Sequence, residues 1–192
     1  MVSEGSNTLR AYSINANNGV LTEIDLNGAT AGLALNLPDL AQSVKVDPTG
    51  RFAYVTVGST AELLAYRINP ANGALSSPLA ATTGGSVPSA LAISPDGRFA
   101  YTTNSGSNTV AVFSLDPANG MPTNLSLNVA TGPGPSDITL DASGQFAYVT
   151  SGGSSDLQVY SVNATTGALT AAGAVTPTGR SPTGIAMTVT ID

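Results

Sequence analysis

A carboxylate beside a guanidinium is a small set that can activate water against a carbonyl and steady the oxyanion that forms. In this chain the candidate carboxylates are Asp137 and Glu62, and the candidate cation is Arg180. Asp39, Gln42, Lys45, Ser136 and Asp156 are further polar residues suited to holding a ligand. Any such chemistry must run without imidazole or thiolate, because the 192 residues include no His and no Cys. That absence also removes the commonest metal ligands, and no metal site is expected. The carboxylates Asp47, Asp96, Asp116 and Asp141 stand singly in short turns. A calcium ion needs six to eight oxygens, so these four read as turn formers. No phosphate loop and no G-x-S-x-G elbow occurs, and no cofactor is expected.

The charge balance narrows the partners. Net charge is −6, with Lys45 and five Arg spread along the chain. No basic stripe exists, so neither nucleic acid nor an anionic membrane surface is an expected partner. Charged residues make up only 9%, against roughly 25% in an average soluble protein. Gly, Ser, Thr and Asn take their place, a composition that leans towards extracytoplasmic β proteins. No apolar run approaches the ~18 residues of a membrane span. The start, MVSEGSNT, has neither the basic nor the apolar region of a signal peptide. The sequons at Asn124 and Asn163 are near chance in so Ser/Thr/Asn-rich a chain.

The elements that position these residues come from an internal repeat. DPTGRFAYVT starts at Asp47, SPDGRFAYTT at Ser94 and DASGQFAYVT at Asp141, each 47 residues after the last. A second aromatic follows twelve residues after each tyrosine: Tyr66, Phe113 and Tyr160. An Asx/Gly turn comes next: Asn69–Gly73, Asp116–Gly120 and Asn163–Gly167. The opening residues Met1–Gly19 align with Val149–Gly167 as a fourth copy. The last residues, Ser181–Asp192, align with Val87–Arg98.

One copy reads as four short strands. In the second copy they fall near Gln42–Val46, Phe52–Val57, Leu63–Ile68 and Ala74–Ala81. Gly, Pro, Asn or Thr interrupts every ten residues and no 3.6-residue apolar period persists, so helices are not expected. The second and third strands are apolar on both faces, as a sheet sandwiched between two others requires. The expected fold is an all-β propeller of four four-stranded antiparallel blades in one domain. The expected blades are 1–37 with 181–192, 38–84, 85–131 and 132–180, the C-terminal strand closing the first. All ten aromatics fall on repeat positions, so they read as packing between blades. Residues that break the repeat are the better site candidates. In such a fold the loops before the first strand and after the second share the mouth of the central channel. Asp39, Gln42, Lys45, Ser136, Asp137 and Arg180 are assigned to the former, Glu62 and Asp156 to the latter.

The segment Pro88–Gly120, PSALAISPDGRFAYTTNSGSNTVAVFSLDPANG, resembles the propeller-type lactonases. That family includes 6-phosphogluconolactonase-like proteins and is related to the YVTN-repeat propellers. The resemblance implies a seven-bladed relative and lactone hydrolysis. It also implies Gly-Pro-Arg-His leading into an inner strand. Here the matching segment is GPGPSDITL, with Ser136 and Asp137 in place of Arg and His. A histidine mechanism therefore transfers to no residue of this chain.

Two readings of function stand side by side. The first is a non-catalytic binding or scaffold module, with a protein or small-molecule partner. The second is a hydrolase for a lactone or other sugar-derived ester, acting at the channel mouth. If four blades do not close alone, two chains are expected to pair as a homodimer.

Overall fold

The computed structural model describes residues 2–3, 7–26, 34–38 and 40–187. Every regular element among them is a strand. The first repeat holds β1 (Val2–Ser3), β2 (Thr8–Leu9), β3 (Ala11–Ile14), β4 (Leu21–Ile24) and β5 (Leu35–Asn36). β1, β2 and β5 form one small antiparallel sheet, and β3 and β4 form a hairpin. The second repeat is a four-stranded sheet of β6 (Ala41–Val46), β7 (Phe52–Val57), β8 (Glu62–Arg67) and β9 (Leu79–Thr82). The third repeats that order with β10 (Pro88–Ile93), β11 (Phe99–Asn104), β12 (Thr109–Leu115) and β13 (Pro122–Asn124). β14 (Val129–Ala130) adds to the far end of β12. The fourth contains β15 (Pro135–Leu140), β16 (Phe146–Ser151), β17 (Asp156–Val162) and β18 (Leu169–Ala171). β19 (Thr176–Pro177) pairs with β17.

The second, third and fourth repeats each form one sheet, a blade, and the first repeat is divided between two smaller sheets; the core lies between successive repeats. Side chains alternate along a strand, so one strand serves two interfaces. Phe52 and Tyr54 of β7 pack forward on Leu91, Ala111 and Phe113 of the third blade. Ala53, Val55 and Val57 pack backward with Leu9, Leu26 and Leu37 of the first. Phe99 and Tyr101 repeat the forward role against Ile138, Val149 and Tyr160. This explains why every residue of β7 and β11 is buried.

The repeated turn is a clamp as well as a corner. Gly50, Gly97 and Gly144 all have φ near +70° and each donates its N–H to the first carbonyl of its turn. The arginine that follows reaches the next blade. Arg51 donates to the Pro117 carbonyl at 2.7 Å and Arg98 to the Ala164 carbonyl at 3.2 Å. Tyr54 donates its buried hydroxyl to the Gly120 carbonyl at 3.0 Å. The Tyr101 hydroxyl is buried with no partner among the described residues. We expect Tyr54→Phe to cost about 1 kcal/mol, because the Gly120 carbonyl loses its donor. Tyr101→Phe should cost nothing or stabilise slightly, since it removes an unpaired buried hydroxyl. Urea unfolding of the two variants measures the difference.

Two expectations change. The fourth strand of the second blade is shorter than Ala74–Ala81. Pro78, which has no N–H to give, interrupts it, leaving one bridge from Ile68 to Leu75 before β9 resumes. Closure of the first blade by the C-terminal strand is not seen among the described residues. Ser181–Met187 form no strand there, and 188–192 lie outside them.

Candidate functional site at the channel mouth

The first strands of the second, third and fourth blades, β6, β10 and β15, are neighbours. At one end of each, the loop before the inner strand meets the loop after the second strand. Gly58 donates to the Leu40 carbonyl, Ser105 to that of Val87, and Gly152 to that of Gly134, all at 2.8 to 2.9 Å. Leu40, Val87, Gly134 and Ser181 stand 47 apart and all have φ between 49° and 61°. Only Gly134 takes that conformation without steric cost; β-branched Val87 pays most. The turn sends each chain into its inner strand, where a β-bulge follows at Gln42, Ser89 and Ser136.

The bulge turns these side chains sideways, towards the next blade. Ser89 donates its hydroxyl to the Pro135 carbonyl at 2.8 Å, and Ser136 to the Pro182 carbonyl at 2.6 Å. Gln42 takes the same position in the second blade. Asp137 is likewise engaged by backbone. Its Oδ1 accepts from the Ile138 N–H at 2.8 Å and its Oδ2 from the Ile185 N–H at 2.9 Å. Ser136 and Asp137 thus hold Pro182–Ile185 against the fourth blade.

Other candidates are divided between blades. Glu62 begins β8, half-buried, opposite Val57 and Thr82 on the second blade. Lys45 is displaced from the mouth. It pairs with Tyr54 two residues before Asp47, at the end of β6 carrying the repeated turn. There it lines a cavity of about 290 Å³ with Pro48, Pro95, Ile138 and Asp141. A larger cavity, about 680 Å³, also lies towards that turn end, between Arg98, Phe99, Leu125, Leu127 and Thr166. Asp39 falls outside the described residues.

The fourth blade gathers the rest. Asp156 begins β17, opposite Ser151 and Pro177. Its Oδ1 is shielded from solvent and has no hydrogen-bond partner among the described residues, and the same is true of Ser151 Oγ. Both oxygens lie about 3 Å from where a Cβ on Gly132 would be, Ser151 Oγ at 3.0 Å and Asp156 Oδ1 at 3.1 Å. Glycine at 132 is therefore what lets this pair sit under the loop. Arg180 is exposed on the neighbouring segment. Thr178 donates to the Ser155 carbonyl at 2.9 Å and Ser181 to Ser155 Oγ at 3.2 Å, which fixes that segment beside Asp156. Ser151 and Gly132 were not among the residues singled out from sequence. The signal was available: Gly132 matches Gly85, whose Cβ position meets Asn104, the counterpart of Ser151.

The family model described as "Lactonase, 7-bladed beta-propeller" matches residues 1–133 and 78–187. The chain belongs to this lactonase family. Solved structures agree on the fold. A candidate 6-phosphogluconolactonase from Bacteroides uniformis aligns with TM-score 0.78 and 19% identity, over 94% of this chain and 51% of that one. A Lactobacillus plantarum protein aligns with TM-score 0.76 and 22% identity, over 92% and 51%. The periplasmic gluconolactonase of Pseudomonas aeruginosa aligns with TM-score 0.69 and 20% identity, over 96% and 54%. A search of curated proteins finds no match. This lactonase-family chain spans about half the length of the structures it matches.

Proposed function

We propose that the chain binds a sugar-derived lactone at the channel mouth of the fourth blade and hydrolyses it, with Asp156 as the base. The observation that carries this reading is the unpartnered, shielded Oδ1 of Asp156 beside Ser151. The other oxygens proposed from sequence on this blade, those of Ser136 and Asp137, are already bonded to backbone. Membership of the lactonase family supports the reaction class.

The step needs no covalent nucleophile. The Asp156 carboxylate takes a proton from water as the water oxygen bonds to the lactone carbonyl carbon. Arg180, exposed on the adjacent segment, is assigned to the oxyanion that develops. The ring C–O bond then breaks, and the leaving oxygen takes the proton from Asp156. The product is the open hydroxy acid.

Hydrolysis of glucono-1,5-lactone by the purified chain, followed with a pH indicator, tests this. We expect turnover above the buffer rate, and a loss of about 100-fold or more in Asp156→Asn, with unchanged circular dichroism. A wild-type rate equal to buffer overturns the proposal and leaves the non-catalytic binding module. Full activity in Asp156→Asn overturns the assignment of the base.

A further inference from the structure

The cavity of about 680 Å³ between the third and fourth blades lies where the repeat changes. Ser114 lines it and pairs with Phe99, in the register that Arg67 holds opposite Phe52 on the second blade. Leu125 and Leu127 also line it. Leu125 donates its N–H to the Val112 carbonyl as Ala172 does to that of Val159, so these leucines match Ala172 and Ala174 of the fourth blade. A short hydroxyl replaces a long cation, and two leucines replace two alanines. The first change leaves space, and the second makes its wall apolar. Thr166, on the Asn163–Gly167 hairpin, contributes from the fourth blade.

The arginine at this cavity also departs from the repeat. Arg51 is used along its whole fork: Nε donates to Thr49 Oγ1 at 3.1 Å and Nη2 to the Pro117 carbonyl at 2.7 Å. Asp96 stands where Thr49 would be, and Arg98 is held differently. Its Nη1 donates to the Ala164 carbonyl at 3.2 Å and has Asp96 Oδ2 at 3.8 Å. Both contacts fall on that one nitrogen. Nε and Nη2 donate to none of the described residues. These two carry the parallel N–H groups that match the two oxygens of a carboxylate. The Arg98 side chain is 56% exposed, and its guanidinium carbon lies 5.2 Å from the centre of the Phe99 ring.

We propose that this cavity binds a small organic acid with an apolar tail. The carboxylate takes the Nε–Nη2 edge of Arg98, and the tail lies along Phe99, Leu125 and Leu127. A bare anion leaves that apolar wall in water, and a neutral hydrocarbon leaves the fork unpaired; an acid with a tail satisfies both. The volume is that of a small-molecule site. The proposal is independent of lactone hydrolysis. The cavity lies towards the repeated turn, whereas Asp156 pairs with Ser151 at the opposite end of β16.

Calorimetric titration of the purified chain with octanoate, and with 1-octanol as the neutral counterpart of the same length, tests this. We expect one octanoate per chain with Kd below about 1 mM, and 1-octanol weaker by about tenfold or more. Arg98→Gln should weaken octanoate about tenfold and leave 1-octanol unchanged. Ser114→Met fills the cavity without adding charge and should weaken both. Circular dichroism checks that each variant is folded, and the comparison of the two ligands on the wild-type chain needs no variant. Absence of saturable octanoate binding, equal affinity for the two ligands, or octanoate binding indifferent to Ser114→Met overturns the proposal.

Discussion

Gly120→Ala is expected to lower the unfolding free energy by about 3 kcal/mol, roughly 10 °C in melting temperature. Two costs combine. The residue has φ +79°, where an L side chain is strained by about 1 kcal/mol. The added methyl also overlaps the Phe52 ring, which is buried between two blades and cannot swing into solvent. Overpacking of this kind costs about 1–3 kcal/mol. Gly50→Ala separates the terms, because Gly50 has φ +72° and none of the described residues lies within 4 Å of a Cβ there. It should lose only about 1 kcal/mol. Equal losses in the two variants would show that the Phe52 ring yields without cost.

Asp47→Ala should cost about as much, near 3 kcal/mol, and should alter the response to acid. The Asp47 carboxylate accepts the N–H groups of Thr49, Arg51 and Phe52 and the Thr49 hydroxyl. Removing it leaves the buried Phe52 N–H and the half-buried donors of Thr49 and Arg51 unpaired at the start of β7. Burial alone would raise the Asp47 carboxyl, but the Thr49 hydroxyl and those three N–H groups outweigh it and hold it below the usual value. Asp141 is lowered by its Ser143 hydroxyl and backbone bonds in the same way. A carboxyl lowered in the folded state binds its proton more readily when unfolded. Its stabilisation is full above the unfolded value of about 3.9 and is lost as pH falls through the lower folded value. Unfolding free energy measured from pH 6 to pH 2 should therefore fall less steeply in Asp47→Ala than in the parent. Parallel curves would remove Asp47 from the acid response.

The frame was legible in the sequence because its causes are local and repeated. RFAYVT could only be a strand apolar on both faces, and each turn glycine is needed for its backbone angle. The roles of Ser136 and Asp137 were not legible. They break the repeat, as site residues do, yet both bond to the segment Pro182–Ile185, some 46 to 48 residues away. Nothing in one strand's pattern says that a bulge will turn its side chain towards a neighbouring blade. Lys45 was assigned to the mouth because it follows the entry loop. In the six-residue strand β6 it stands fifth, close to the opposite turn. Asp156 was visible as a carboxylate, but its isolation depends on Ser151 and Gly132, whose convergence only the folded loops produce.

The forward reach of each arginine, phenylalanine and tyrosine extends one blade and no further. Stability is then a sum of nearest-neighbour couplings along a line, as in other repeat proteins. The third blade is gripped from both sides, by Arg51, Phe52 and Tyr54 of the second and through its own Arg98 and Phe99 on the fourth. A fluctuation that opens the third blade therefore severs two of these couplings at once. One of the two is the coupling that ties it to the blade carrying Asp156.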